Sequence, residues 1–190
     1  TLSARLRGGR AGLGPRFGVG TFDLTTAVAA GQARGLLALF ETQYFDQGLP
    51  GQTVALRASY GHGLRLSPDS LLAAGEKNGL RAYGSEQFLG TRRILLNAED
   101  RIGLVDDAWS LVSVGGAVFA DAGYAWPAGS GLRPADLHAS VGVGLRLSAT
   151  RSTRRDPVRM DLAYALQDNR QRSRWSLAIV MGQLFGPRSD

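Results

Sequence analysis

The sequence predicts an all-β fold, an antiparallel up-and-down β-barrel of about eight to ten strands that crosses a membrane, and three observations carry the prediction. Apolar residues alternate with small or polar ones along most of the chain, the period-2 signature of strands. The second face of that alternation is mostly Gly, Ala and Ser with single charges such as Glu99, Asp121, Arg146, Arg159 and Asp161. A soluble sandwich would carry Lys, Glu and Thr there, whereas small residues with paired charges suit a lumen. Finally, Trp109, Trp126 and Trp175 fall at strand ends, where interfacial aromatic belts place them.

Composition excludes several function classes. The 190 residues contain no Cys, which removes disulfide scaffolds, zinc ribbons and thiol nucleophiles. His62 and His138 are isolated imidazoles without a metal or triad signature, and read as tolerated polar residues on or beside strands. The 26 glycines follow no G-X-Y period and suit close-packed strands in a barrel wall. No apolar run approaches the roughly 18–20 residues of a membrane helix, and a mean hydropathy of −0.09 is what an alternating wall averages to. Residues 1–10 have no apolar leader core, so a leader has been removed or the chain is a piece of something longer. The net charge of +6 raises nucleic acid as a partner, but the arginines are dispersed. Their one dense run, Arg151 to Arg155, sits at an expected turn, and no nucleic-acid interface is predicted.

The elements follow in order. Residues 1–7 form a weak first strand, and 17–28, 36–45 and 54–60 are strands of looser alternation. A long connection spans 67–91, around Gly75-Glu76-Lys77-Asn78-Gly79-Leu80-Arg81-Ala82-Tyr83. Strands at 94–102 and 112–124 follow, separated by a short turn over 104–108 that contains Asp106-Asp107. Residues 127–136 form a longer loop. In 137–148, Val141, Val143, Leu145 and Leu147 oppose Ser140, Gly142, Gly144 and Arg146; in 158–167, Met160, Leu162 and Tyr164 oppose Arg159, Asp161 and Ala163. The last strand, 175–185, sets Trp175, Leu177, Ile179, Met181 and Phe185 against Ser176, Ala178 and Val180. The connection over 149–156 is long for a turn on the side it would occupy. Glu86 and Asp100 read as loop or interface charges. No Gly-x-Ser-x-Gly elbow or supported carboxylate pair appears, so catalytic residues, metal ligands and cofactors are predicted to be none and the chain is not read as an enzyme.

Three short patterns then occur in order: Leu80-Arg81-Ala82-Tyr83 in the long loop, Asn97-Ala98-Glu99 on the next strand, and Phe119-Ala120-Asp121-Ala122-Gly123 on the one after. Together with Gly182-Gln183-Leu184-Phe185 near the end, they make residues 54–185 resemble the C-terminal half of the Omp85 (bacterial surface antigen D15) outer-membrane barrels. In that family the loop signature is Val/Leu-Arg-Gly-Tyr/Phe and the strand signature Phe-x-Asp-x-Gly. Ala82 departs from the family glycine, and would be strained if the position needs positive φ.

The resemblance implies that loop 67–91 folds back into the barrel, where Arg81 meets Asp121 and Glu99. A guanidinium taken out of water requires such carboxylate partners. It further implies an outer-membrane location, residues 1–185 as the barrel portion and 186–190 as a tail, with Phe185 as a terminal assembly signal. The implied function is outer-membrane protein assembly or polypeptide translocation. Its partners would be outer-membrane lipid, an unfolded polypeptide or barrel substrate, and barrel-assembly machinery, with no cofactor. A passive pore or membrane-anchor barrel, and a soluble β-sandwich binding module, remain as alternatives.

Overall fold

The computed structural model describes residues 2–11, 14–29, 32–108, 111–149, 158–167 and 173–182. They form an antiparallel all-β sheet of nine strands, together with a two-stranded ribbon. The sheet strands are β1 (Leu2–Ala11), β2 (Arg16–Ala29), β3 (Gln32–Asp46), β4 (Gln52–Leu64), β7 (Arg92–Ala108), β8 (Val112–Trp126), β9 (His138–Ala149), β10 (Val158–Ala165) and β11 (Trp175–Met181). The ribbon pairs β5 (Leu72–Ala74) with β6 (Phe88–Gly90) inside the long loop. In the sheet each strand lies beside its predecessor in the chain, with the ribbon skipped, so the order is a meander from β1 to β11.

The alternation assigns the two faces. Large apolar side chains lie exposed on one face of strand after strand: Phe22, Phe40, Leu56, Leu96, Val118, Val143, Leu162 and Leu177 among them. The other face carries the charges and is covered in its middle by loop 67–91. Val118 is 49% exposed while Asp121, on the opposite face of the same strand, is 3% exposed. Cross-strand register aligns the charged face into rows, one of which runs Gln43, Arg57, Asn97, Asp121, Ser140, Ala165 from β3 to β10.

Two features differ from the sequence expectation. Residues 104–108, with Asp106 and Asp107, belong to β7 and are not a turn. There the β7–β8 pairing shifts register between Gly103 and Val105 and again before Ala108. Such bulges let a strand carry extra residues without breaking, and turn-like composition is how they read in a sequence. The strands are also longer than periodicity alone marks, because glycines and arginines at their ends, such as Gly61 and Arg92, remain paired. The terminal segment from 183, with Phe185 and the 186–190 tail, lies outside the described residues, as do Trp109 and the connection over 150–157.

Glycines make the charged face receptive to the loop. A Cβ at Gly61 would lie 2.7 Å from Leu72 Cδ1, and one at Gly63 would overlap the Leu66 side chain. These two β4 positions are therefore seats for Leu72 of the loop and for Leu66 just before it. Gly90 likewise sits directly on the Trp126 backbone. The resulting core is built from both partners: Leu80, Ala82 and Tyr83 of the loop with Leu95, Phe119 and Ala163 of the sheet.

Candidate functional site

The site is assembled at the tip of the loop. A single 3-10 turn, Glu76–Asn78, ends at Gly79 with φ 112, a backbone conformation that a side chain disfavours. Asn97 on β7 donates through Nδ2 to the Gly79 carbonyl at 2.5 Å, and Arg57 on β4 donates to the Asn78 carbonyl at 3.0 Å. Arg93 reaches the Ala73 carbonyl at 3.0 Å and Asn78 Oδ1 at 3.3 Å. Sheet side chains thus hold the loop backbone from beneath. Leu80 then packs in the core and Arg81 enters the charged row.

Arg81 is 2% exposed and uses its planar fork fully. Its Nε and Nη2 donate to Asp121 Oδ2 and Oδ1, both at 2.8 Å, and Nη1 donates to Glu99 Oε2 at 2.7 Å. The Arg81 backbone N–H also points at Asp121 Oδ2, at 3.3 Å. Below it, the Phe119 ring centroid lies 3.4 Å from the guanidinium carbon, a cation–π contact in a desolvated place. Bidentate geometry of this kind fixes orientation as well as charge.

The structure therefore brings Arg81, Glu99 and Asp121 together, and gathers further residues around them. Asn97 Nδ2 donates to Asp121 Oδ1 at 2.8 Å, and the Ser140 hydroxyl lies 3.4 Å from Oδ2. Glu99 Oε1 accepts from Arg101 Nε and Arg146 Nη2, each at 3.0 Å. Arg146 Nη1 continues to Asp161 Oδ1 at 2.6 Å. Arg159 Nε lies 2.9 Å from Asp161 Oδ2 but is not aligned as a hydrogen bond. Glu99 is the hub, shared by three guanidiniums, and the network joins the loop to β7, β8, β9 and β10.

The remaining motif residues take structural places. Ala82 is buried, and its φ is not positive: among the described residues the only non-glycine with positive φ is Arg65, at 51°. Alanine is therefore unstrained where the resemblance has glycine. Tyr83 Oη lies 3.0 Å from the Ala139 carbonyl and 3.1 Å from Gln167 Oε1, so its one proton ties the loop to β9 or to the end of β10. Its ring meets Phe88 and His138 at centroid distances of 5.7 and 5.5 Å, which places His138 in an aromatic cluster. A Cβ at Gly123 would lie 2.6 Å from Leu95 Cδ2 and 2.8 Å from the Ile94 carbonyl, so Gly123 is a packing requirement.

Sequence reasoning noted Arg146, Arg159 and Asp161 as inward-facing charges but did not attach them to the site. The missing quantity was register, which puts Arg146 opposite Arg159 and places Gly144 opposite Asp161. Gly142 and Gly144 complete the arrangement. A Cβ at Gly142 would overlap the Phe119 ring, and one at Gly144 would overlap Asp161 Oδ1 and Arg146 Nη1. Chemically, this is a buried ionic clamp. No protein-family model matches the chain, and a search of curated proteins finds no relative.

Proposed function

We propose that this chain is the C-terminal portion of an outer-membrane β-barrel of the Omp85 type, acting in outer-membrane protein assembly or polypeptide translocation. The observation that carries the reading is the placement of Arg81: the long loop returns onto the charged face and delivers one guanidinium to Asp121 and Glu99. On this reading the charged face lines the lumen and the bare apolar face meets outer-membrane lipid. An apolar surface spread over so many strands is far larger than a soluble monomer ordinarily exposes. A soluble sandwich would need a second sheet on that face, and among the described residues none lies there. The partners on this reading are lipid, an unfolded polypeptide or barrel substrate, and the barrel-assembly machinery.

The test begins with refolding of the chain in maltoside micelles and in plain buffer, followed by circular dichroism and heat-modifiable gel mobility. Cooperative, heat-modifiable β-structure in micelles alone is the expected result; a cooperative soluble fold in buffer refutes the membrane reading. Val143→Arg sharpens it. Val143 is 54% exposed on the apolar face, and arginine at a mid-bilayer position costs about 2–4 kcal/mol. Loss of folding into lipid vesicles is expected, and wild-type insertion of this variant counts against a lipid-facing wall. For activity, vesicles bearing the protein are offered a urea-denatured barrel substrate, and its protease-protected folding is measured. Ion conductance with no effect on the substrate would instead indicate a passive pore.

A further inference from the structure

We infer that the apolar face carries a site for one anionic phospholipid, with its phosphate at Arg92 and His62 and an acyl chain in a groove below them. The inference rests on the membrane reading, since it takes that face to meet lipid. Across the middle of the face runs an apolar groove of about 530 Å³, within the size range of sites that bind small molecules. Its floor is alanine: Ala98 and Ala120 face each other across β7 and β8, and Leu56 and Val141 stand at the two ends of that row. An unfilled depression forfeits dispersion contacts along its lining. On a lipid-facing wall, the groups at hand to fill it are acyl chains.

Charge selects the head. Among the described residues, the charges of this face lie toward the two ends of the strands. At the end away from the long loop they are matched: Arg16 pairs with Asp46 at 2.8 Å, and Asp100 accepts from Gln52. At the loop end, Arg92 and His62 are direct cross-strand partners. Arg92 is half-buried and makes no side-chain hydrogen bond or ion pair among the described residues. His62 Nδ1 lies 3.3 Å from Tyr60 Oη, which leaves Nε2 for a further partner. A guanidinium at the border of an apolar wall, beside an imidazole, matches a phosphate through its planar fork.

One strand joins head and groove. Arg92, Ile94, Leu96 and Ala98 alternate onto this face of β7, and about 20 Å of strand separates Arg92 from Ala98. Ile94 is flanked in register by Tyr60 and Tyr124, so a chain descending over it passes between two aromatic residues. A molecule occupies both places only if it has an anionic head and a long apolar tail. Free phosphate makes no use of the alanine floor. A second copy of the wall in the same membrane presents the same residues at the same height, and so brings no carboxylate to Arg92.

The experiment uses the full chain refolded in maltoside micelles, titrated with dimyristoyl phosphatidylglycerol and read by native mass spectrometry. One phosphatidylglycerol retained per chain is expected, with dimyristoyl phosphatidylcholine binding more weakly. Arg92→Gln should weaken phosphatidylglycerol by about tenfold to a hundredfold, the range for losing charge-assisted hydrogen bonds. Ala120→Phe, which fills the groove and leaves the head untouched, should weaken it about tenfold, as for two methylenes kept from burial. Arg133→Gln removes an exposed cation from the same end of the sheet and should bind as wild type does. Folding without saturable lipid, equal binding by Arg92→Gln, or displacement by glycerol phosphate at matched concentration overturns the site alone. So does a lipid-independent dimer that Ala120→Phe dissociates, which assigns the groove to a second copy. Failure to form heat-modifiable β-structure in micelles overturns the membrane reading and the site with it.

Discussion

Replacing Arg81 by alanine is the most informative perturbation, because its cost divides unequally between two carboxylates. Glu99 retains Arg101 and Arg146, both at 3.0 Å, and stays compensated. Asp121 loses two bonds of 2.8 Å and is left with Asn97, a distant Ser140 hydroxyl and the backbone N–H of residue 81. Breaking one side of a buried pair costs about 3–5 kcal/mol, and the Phe119 cation–π contact adds to the loss. Even 3 kcal/mol lowers the folded-to-unfolded ratio by roughly a hundredfold. Urea unfolding in micelles, followed by tryptophan fluorescence and gel mobility, measures the change. Asp121→Ala combined with Arg81→Ala should cost less than the sum of the singles, by about 1–3 kcal/mol of coupling. An Arg81→Ala chain within about 0.5 kcal/mol of wild type, the scatter of neutral surface changes, would refute the clamp, as would strict additivity.

Glu99→Gln should destabilise at least as much as Arg81→Ala, since it removes the one carboxylate that Arg81, Arg101 and Arg146 share; the same urea assay checks it, and a milder effect would place the hub elsewhere. Gly142→Ala should be more damaging than Gly144→Ala, because the added methyl overlaps the Leu162 carbonyl as well as Phe119, whereas at Gly144 it meets only the far ends of side chains. Gly8→Ala, with nothing within 4 Å of the new atom, should leave the unfolding midpoint where it is. Phe119→Leu keeps an apolar residue under Arg81 but removes the ring, and should cost up to about 2 kcal/mol for a desolvated cation–π contact. Amide exchange should be slowest in β4, β7, β8 and β9, which contact the loop or the clamp, and fastest in β1 and β11, each paired on one side only in the sheet.

Much of the fold was legible because a strand with one apolar face writes its orientation into a two-residue period. Val118, Asp121 and Gly123 could be assigned to faces from the sequence, as could Arg159, Asp161 and Leu162. What a strand does not write is which residue of its neighbour it faces. The Arg146–Asp161 pair and the contact of Gly142 with Phe119 depend on register between β8, β9 and β10 and are invisible strand by strand. Bulged strand was likewise misread as turn at Asp106 and Asp107, since the residues that permit a bulge also permit a reversal. Asn97 was noted for its place in a pattern, but its work of bridging the Gly79 carbonyl and Asp121 emerges only when the loop and two strands are present together.

The clamp also explains why the loop can rest on a charged surface at all. A segment crossing the sheet must bring its own backbone polar groups out of water, and each unmet group costs free energy. Here arginine and asparagine side chains of the sheet supply the missing donors to Ala73, Asn78 and Gly79, while the loop returns one guanidinium to Asp121. The exchange is reciprocal: without the loop, Asp121 loses both of its aligned cationic donors, and without the sheet's arginine and asparagine side chains the loop carbonyls lose these donors. Apolar contacts of Leu66 and Leu72 on glycine seats supply adhesion, but they are non-directional and would tolerate sliding. The ionic contacts fix the register of the loop, because a bidentate fork accepts one position of Asp121 and no other.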